Sequence, residues 1–350
     1  MSHESKRLKI SKENGTGSDD ERRYFQSYGY LQCHQTMVSD EQRTNAFRRS
    51  ILKSYEQLYK KTILEIGCGT GILSIFACQA GAGRVYAIEA SDSIRYAERV
   101  ISKNGYSDKV SLMQSRIEDL ELSSNEKVDA IISEWMGYGL FCEWMLPSVI
   151  LARDRWLSEN GLLFPNKVTV FLALTRETKF LKDRAKYWLC RPKEDYKVDM
   201  HVLAEEEYKD IIGKMALHEV KPTEIVSSPV QLLELDLHYL KYDESDHFSA
   251  DFKLTAFGSC DVYGFCLWFQ TVFPAGVDLD TSPFCAPTHW MQTTLYVTPF
   301  AVSQDSVVSG SITFQRHPKC RRMLAVDMKY ELEEGQREKH QVQFLEMIEI

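Results

Sequence analysis

A short apolar run that ends at alternating glycines restricts the fold of this chain more than any other feature. Leu64-Glu65-Ile66 leads into Gly67, Gly69 and Gly71, and the apolar segment 72–78 follows with the character of a buried helix. Glycine permits a sharp turn and lets a ligand lie against the backbone without an intervening Cβ atom. A tight strand-to-helix connection that binds no ligand would show the same pattern. The run therefore predicts a strand, a turn and a helix, and it leaves the ligand open.

Strands and helices continue to alternate along the next part of the chain. Further strand-like runs lie at 84–88, 110–114, 128–133 and 162–164, and helical segments lie at 93–103 and 148–157. Such alternation is typical of right-handed crossovers and of a parallel sheet covered by helices. Because the pattern from Tyr24 to Tyr59 is helical, we predict N-terminal helices and a Rossmann-like α/β domain over residues 21–165.

The periodicity changes after Pro165. The strand-like runs that follow are separated by turn residues, at 168–174, 252–257, 262–273, 293–297, 311–314 and 323–330. One helical interlude lies at about 177–214. Such a series is typical of antiparallel sheet. We therefore predict a mainly antiparallel sandwich or barrel over residues 166–350.

Composition narrows the classes of function. The formal net charge of −8 disfavours non-specific nucleic-acid binding, which depends on a cationic surface. The nine cysteines are scattered without metal-ligand spacing, so we expect reduced intracellular thiols and no metal. We expect no membrane association, because the sequence has no apolar run of the about 18–20 residues that a membrane helix needs. Residues 1–20 are polar and predict a disordered tail, in which Lys6-Arg7-Leu8-Lys9 is either a nuclear address or simply solvated.

Three acidic residues favour S-adenosylmethionine as the ligand of the glycine turn. Glu89 ends the second strand, where a carboxylate accepts hydrogen bonds from ribose hydroxyls. Glu65 directly precedes the turn, a poor position against a diphosphate but a good one for an ammonium and a sulfonium. Ile117 and Glu118 follow the third strand, where an adenine edge is expected and Glu118 would accept from its amino group.

Two glutamates bracket an aromatic loop after the fourth strand. Glu134 and Glu143 lie on either side of a Gly-Tyr-Gly turn, among tryptophan, phenylalanine and methionine residues. A guanidinium is a planar fork of N–H donors that carboxylates match bidentately. If one glutamate caps a helix and the other is solvated, the pair has no such role. Acidic residues in an apolar run are normally paired or functional, so we predict a guanidinium clamp that faces the cofactor.

This loop resembles the double-glutamate loop of the protein arginine N-methyltransferases. Four other parts of the chain resemble that family, namely Tyr24–Tyr28, His34–Met37 with Asp40–Thr44, Gly67–Gly71 with Glu89, and Thr288-His289-Trp290. The resemblance extends from about Tyr24 to about Tyr330. It implies a Rossmann-like domain, a β-barrel domain and a helical arm that docks on a second subunit of a homodimer. It also implies S-adenosylmethionine as methyl donor and S-adenosylhomocysteine as product.

The resemblance implies roles for further residues. His289, paired with Asp40, would accept the proton, or would only tie the barrel to the N-terminal helices. Tyr28 would orient the glutamates, and Met37 and Met145 would wall the methyl-transfer site. Because Met37 leaves room beside a methylated nitrogen, the resemblance favours the type I product, asymmetric dimethylarginine. The implied cofactor-binding residues are His34, Arg43, Glu65, Gly67, Gly69, Gly71, Glu89, Ile117 and Glu118, with Arg43 on the methionine carboxylate.

Within the family, Tyr196–Met200 is closest to the nuclear, histone-modifying sixth paralogue. We therefore expect arginine-containing protein substrates, either histone tails or Gly-Arg-rich proteins, and a nuclear location, with the cytoplasm also open. The chain departs from the family at Gln35 and Thr36, which replace two glutamates, and at Met291, which replaces lysine. Two other functions are compatible with such a chain: a methyltransferase for small molecules and an inactive scaffold that binds partners. The first would not need two converging carboxylates, and the complete set of acidic and glycine positions argues against the second.

Overall fold

The computed structural model describes residues 19–122, 126–333 and 339–348. The predicted tail with Lys6–Lys9 lies outside the described residues, apart from its last two positions. Helices fill the region before the first sheet, at α1 Asp19–Ser27, α2 Leu31–Ser39, α3 Glu41–Lys53 and α4 Tyr55–Leu58. Asp40 begins α3 by accepting the backbone N–H of Arg43 on its side chain, which satisfies a helix-start donor.

A parallel five-stranded sheet follows these helices. Its elements are β1 Thr62–Ile66, α5 Ile72–Gln79, β2 Arg84–Glu89, α6 Ile94–Lys103, β3 Val110–Gln114, β4 Val128–Ser133, α7 Leu146–Trp156 and β5 Leu157–Phe164. The strand order is β3-β2-β1-β4-β5, with every pair parallel. The order reverses between β1 and β4, where doubly wound sheets open a crevice at the carboxyl ends of their strands. The predicted Rossmann-like fold is confirmed.

The second half of the chain is mainly antiparallel and barrel-like, as predicted. Its strands are β6 Lys167–Thr175, β7 Met215–His218, β8 Val230–Asp236, β9 His247–Thr255, β10 Cys260–Phe273, β11 Val277–Asp280, β12 Gln292–Val302, β13 Val307–Arg316, β14 Leu324–Leu332, β15 Lys339–Phe344 and β16 Met347–Ile348. One sheet has the order β16-β7-β12-β10-β6-β8, with β11 beside β10, and the other has the order β15-β14-β13-β9. The helical interlude is α8 Lys179–Tyr196 and α9 Val202–Ile211.

Some boundaries differ from the predictions. The last strand of the parallel sheet begins at Leu157 and not at Leu162, because Leu157 pairs with Val128 of β4. Strands β7, β8, β11, β15 and β16 were not predicted. Of these, β7, β11 and β16 are too short to establish a period of two, and the burial of β8 does not alternate along the strand.

The two halves share one apolar core. Phe47 of α3 packs edge-on against Phe273 of β10, with ring centroids 4.8 Å apart. Phe141, in the loop between β4 and α7, stacks on Phe248 of β9 at 4.7 Å and contacts Phe314 of β13 at 5.2 Å. The loop that carries the two glutamates is therefore held between the parallel sheet and the barrel. Over the described ranges, no helix is both long and apolar enough to cross a membrane.

Candidate active site

A cleft opens at the carboxyl ends of β1, β2 and β4. It is lined by the glycine turn, by side chains of α1 to α3, and by the loops after β2, β3 and β4. The predicted site residues that line it are Tyr28, His34, Met37, Arg43, Glu65, Gly67, Gly69, Glu89, Ile117, Glu118, Glu134, Glu143 and Met145. Gly71, Asp40 and His289 are not among its lining residues.

The glycine turn has a backbone that only glycine adopts readily. Gly67, Gly69 and Gly71 have φ angles of 72°, 52° and 79°, all in the left-handed region. A Cβ atom at Gly69 would also lie 3.1 Å from the ring of His34, and one at Gly67 would lie 3.4 Å from Met145 Cε. The glycines thus shape the turn and let two cleft side chains pack against it.

Glu89 is fixed by the turn and still has acceptor capacity. Its Oε2 accepts from the Gly69 N–H and its Oε1 from the Ser91 N–H, both at 2.8 Å. Because a carboxylate oxygen accepts more than one hydrogen bond, each oxygen can take a further donor. A pair of adjacent hydroxyl groups, as on a ribose, matches this arrangement.

Glu65 is a buried carboxyl group with one unsatisfied oxygen. It is 1% exposed, and its Oε2 accepts from the hydroxyl of Ser74. No described group donates to its Oε1. Burial raises the pKa of Glu65 to about 8. A buried acceptor without a partner is costly, so a cationic ligand in the cleft would satisfy this oxygen and favour its ionised form.

Ile117 and Glu118 line the cleft beyond β3. Ile117 is buried, and Glu118 accepts from the hydroxyl of Ser148 and from Arg116 Nε at 3.4 Å. Burial opposes ionisation of Glu118, but these hydrogen bonds and the charge of Arg116 outweigh it and lower the pKa. An apolar side chain beside an ionised acceptor suits a flat ring with an amino group.

Glu134 forms a partly buried ion pair with Arg43. Its Oε2 accepts from Arg43 Nε at 3.2 Å and Nη2 at 3.0 Å, and its Oε1 accepts from the Met136 N–H at 3.2 Å. Arg43 Nη1 also donates to the carbonyl of Met37 at 3.2 Å. We expected Arg43 to hold the cofactor's carboxylate. In this structure its guanidinium donates to the carboxylate of Glu134 instead.

Glu143 is held by two tyrosine hydroxyls. Tyr24 donates to its Oε2 at 2.7 Å, and Tyr28 lies 2.8 Å from both oxygens. Burial raises the pKa of Glu143, although the two hydroxyls act in the opposite direction. The motif that resembles the family contains Tyr24, yet we had not predicted a site role for it. The spacing of one helical turn between the tyrosines was the available signal, because it places both on one face of a helix.

His289 and Asp40 form a pair outside the cleft. Asp40 Oδ2 accepts from the backbone N–H of His289 at 2.8 Å and from its Nδ1 at 2.7 Å. Asp40 Oδ1 caps helix α3 through the N–H of Arg43. Burial opposes ionisation of Asp40, but the hydrogen bonds from His289 and Arg43 lower the pKa. The pair joins the barrel to α3, and both residues line a separate surface depression with Ala286.

Sequence comparison relates almost the whole chain to arginine methyltransferases. Protein arginine N-methyltransferase 6 of Xenopus tropicalis is 39% identical over 340 residues, covering 96% of this chain and 98% of that protein. The Danio rerio protein of the same name is 35% identical over 347 residues, covering 98% of this chain and 96% of that protein. This chain belongs to the protein arginine N-methyltransferase family. That agrees with the resemblance inferred from the motifs.

Family models and solved structures describe the same two parts of this arginine methyltransferase. Residues 63–161 match a methyltransferase domain, and residues 166–336 match an arginine methyltransferase oligomerization subdomain. The Trypanosoma brucei PRMT1 enzyme–prozyme heterotetrameric complex with AdoHcy is 28% identical with a TM-score of 0.78, covering 91% of this chain and 99% of that one. Arabidopsis thaliana protein arginine methyltransferase 10, in an open conformation, is 28% identical with a TM-score of 0.79. That match covers 92% of this chain and 99% of that one.

Proposed function

We propose that this protein transfers methyl groups from S-adenosylmethionine to guanidino nitrogens of arginine residues in other proteins. The observation that carries the proposal is the pair of partly buried carboxylates, Glu134 and Glu143, at one end of the cleft. The other end has acceptors that suit the cofactor. Family membership supports the same activity.

The cofactor end fits S-adenosylmethionine on three observations. The glycine turn has a left-handed backbone that only glycine adopts readily, Glu89 can accept from two hydroxyls, and Glu65 has a buried oxygen without a donor. We propose that Glu65 faces the ammonium group, that Glu89 holds the ribose, and that Ile117 and Glu118 border the adenine. When bound, the cofactor supplies an electrophilic methyl group on a sulfonium. In the described part of the chain, no cluster of side chains could hold a metal ion.

Glu134 and Glu143 would bind and orient the substrate guanidinium. The pKa of arginine lies far above neutral pH, so forming a neutral nucleophile at pH 7 would cost roughly 8–9 kcal/mol. Holding the guanidinium for in-line attack offsets a comparable amount, since proximity can supply about 7–11 kcal/mol. The carboxylates draw positive charge away from the attacking nitrogen, and Tyr24 and Tyr28 keep Glu143 in place. We propose that Met37 and Met145 wall this space.

We assign His289 and Asp40 a structural role rather than proton transfer. Both oxygens of Asp40 already accept from backbone N–H groups, and the His289 ring donates to the same carboxylate through Nδ1. The pair also lies outside the residues that line the cleft. These contacts support a link between the barrel and the start of α3.

We propose that the product is asymmetric dimethylarginine, because Met37 is flexible and less bulky than an aromatic side chain. We also propose basic, arginine-rich substrates such as histone tails or Gly-Arg-rich proteins, and a nuclear location. The acidic net charge and the relatives named protein arginine N-methyltransferase 6 support the substrate class.

We further propose a division into a cofactor domain over residues 21–165 and a barrel domain over residues 166–350. The helices at 177–214 would form a dimerisation arm that docks on a second copy of the chain. Exposed apolar side chains on α8 support an interface there, since Tyr187 is 51%, Leu189 47% and Tyr196 70% exposed. The match of residues 166–336 to an oligomerization subdomain agrees with it.

Methyl transfer to defined peptides tests the function. The purified protein is incubated with methyl-labelled S-adenosylmethionine and a pair of peptides that differ only by arginine-to-lysine replacement. We expect label on the arginine peptide alone, and mass spectrometry with fragmentation should identify asymmetric dimethylarginine. Absence of transfer to every arginine peptide, with transfer to a small molecule instead, would overturn the proposal. A purely symmetric product would refute only the assignment based on Met37.

A further inference from the structure

Arg322 reaches the cleft from a distant part of the chain. It lies in the turn between β13 and β14 of the barrel, yet its side chain lines the same cleft as the two glutamates. Its side chain is 15% exposed. Its role is not predictable from the sequence, because nothing in the local sequence distinguishes it from the neighbouring Arg321.

The backbone of Glu143 is fixed by Arg322 on both sides. Glu143 has a φ of 74° and Trp144 a φ of 52°. Both therefore occupy the left-handed region, which is unfavourable for residues other than glycine. The Glu143 N–H donates to the Arg322 carbonyl at 2.6 Å, and Arg322 Nη1 donates to the Glu143 carbonyl at 2.9 Å. These reciprocal hydrogen bonds stabilise an unfavourable conformation at the residue whose carboxylate must face the substrate.

The same guanidinium also packs on the helix that holds the carboxylate of Glu143. The Arg322 guanidinium carbon lies 4.5 Å from the ring centroid of Tyr24 and 5.5 Å from that of Phe25. The hydroxyl of Tyr24 donates to Glu143. Arg322 Nη2 additionally lies 3.5 Å from Glu21, which is bonded to Arg116 of the cofactor domain at 3.2 Å. Arg322 therefore contacts both the backbone of Glu143 and the ring whose hydroxyl orients its carboxylate.

The charge of Arg322 affects the protonation of Glu143. Burial raises the pKa of Glu143 most strongly, and the negative charge of Glu134 raises it further. The positive charge of Arg322 acts in the opposite direction, as do the hydrogen bonds from Tyr24 and Tyr28. Removal of that charge should raise the pKa of Glu143 further, so that ionisation would need a higher pH.

We propose that Arg322 is a positioning residue for methyl transfer, which holds Glu143 in place to receive the substrate guanidinium. This inference rests on the proposed arginine methylation. Arg322 acts through Glu143 and does not take part in the bond changes. A merely structural tie between the barrel and α1 would stabilise the fold without a specific effect on the ionisation of Glu143.

Three variants of the full chain test this role. Arg322→Gln removes the charge and keeps a hydrogen-bond donor, and Arg322→Lys keeps the charge but loses the planar stacking on Tyr24. Arg321→Gln makes the same charge change at the adjacent, exposed position. The measurements are kcat and KM for an arginine peptide as a function of pH, together with calorimetric binding of S-adenosylhomocysteine.

We expect Arg322→Gln to lower kcat/KM by about 10–100-fold, the size of effect found when a group that orients a metal-ligating side chain is removed. The acid limb of its pH profile should move to higher pH. Its affinity for S-adenosylhomocysteine should stay within about threefold, a change worth less than about 1 kcal/mol. Arg322→Lys should return the acid limb to the wild-type position with a partial rate, and Arg321→Gln should behave as the wild type.

The inference is overturned if Arg322→Gln and Arg321→Gln have the same rate and pH profile. It is also overturned if both Arg322 variants lose S-adenosylhomocysteine binding together with activity, since that indicates a general structural role. If Arg322→Gln fails to fold, Arg322→Lys decides. A reduced rate in Arg322→Lys with an acid limb at the wild-type position supports the inference. A wild-type rate in Arg322→Lys overturns it. Failure of the proposed function is separate, because the wild-type protein would then methylate no arginine peptide.

Discussion

The two ends of the cleft are assembled in different ways. At the cofactor end, Glu89 bonds to the turn of β1 and to its own loop, and Glu65 bonds to Ser74 of the following helix, 9 residues away. At the arginine end, Glu134 and Glu143 find their partners 91, 119 and 179 residues away. The parallel sheet by itself therefore positions the acids of the cofactor end, whereas the acids of the arginine end need the N-terminal helices and the barrel in place.

The two ends also differ in how their acids are satisfied. Glu65 has an oxygen without a donor, so its environment is incomplete until a cation lies beside it. Glu143 is already held by two hydroxyls, and Glu134 by a guanidinium and a backbone N–H. Ligand binding at the cofactor end should therefore respond strongly to protonation of Glu65. Activity at the arginine end should depend on the correct placement of Glu134 and Glu143.

The largest effect should come from Glu143→Gln. Loss of one clamp charge should reduce methyl transfer to an arginine peptide by at least about 100-fold, as loss of a preorganised charge-stabilising group does elsewhere. Binding of S-adenosylhomocysteine should be unchanged, because Glu143 belongs to the other end. The exposed Glu159→Gln serves as a matched control for the charge change. An active Glu143→Gln enzyme would contradict the clamp.

Glu89→Gln should weaken cofactor binding and leave the arginine end unaffected, the reverse of Glu143→Gln. Hydrogen bonds to a charged group are worth about 1.5–3 kcal/mol, so we expect affinity for S-adenosylhomocysteine to fall by about 10–100-fold. At saturating cofactor, the peptide KM should stay near the wild-type value, because the arginine end does not involve Glu89. Calorimetry and steady-state kinetics measure the two effects. Equal damage to both ends would break the distinction between them.

Glu65 should make cofactor affinity depend on pH. Its pKa of about 8 lies above the ordinary value for glutamate, so the folded free protein holds a proton that the unfolded chain releases. Stability of the free protein should therefore decrease as pH rises from about 5 to about 8. Over the same range a cationic ligand should bind more tightly, by at most about tenfold per pH unit for one released proton.

Calorimetry with S-adenosylhomocysteine and thermal unfolding across this range measure both effects. In Glu65→Gln the two pH dependences should flatten, while Glu159→Gln should keep them. A wild-type affinity that does not vary with pH would show that Glu65 does not face the cation.

The smallest effect should come from His289→Gln. If the pair with Asp40 is structural, loss of the ring contact should lower kcat/KM by about tenfold or less, because the backbone N–H of residue 289 still donates to Asp40. The shape of the pH profile should not change. General base catalysis is typically worth about 10²–10⁴-fold in rate. A loss of kcat/KM of that size, with one limb of the pH profile missing, would show that His289 accepts the proton.

Much of this molecule was predictable because its signals are short-range. The glycine turn after β1, the strand ends at Glu89 and Glu134, and the change of periodicity after Pro165 are all patterns within a few residues. They led to the α/β sheet, the antiparallel second half and the positions where a ligand would lie. Four of the five missed strands carry no such pattern, because β7, β11 and β16 have four residues or fewer and the burial of β8 does not alternate along the strand.

The sequence alone therefore determined the fold class, the family and the two acids that bracket the aromatic loop. Only the tertiary structure decided which groups hold those acids: Arg43 on Glu134, and Tyr24 and Arg322 on Glu143. It also placed His289 and Asp40 outside the cleft. The physical reason is that local periodicity sets where a strand ends, whereas the partner of a buried charge is set by how distant segments pack together.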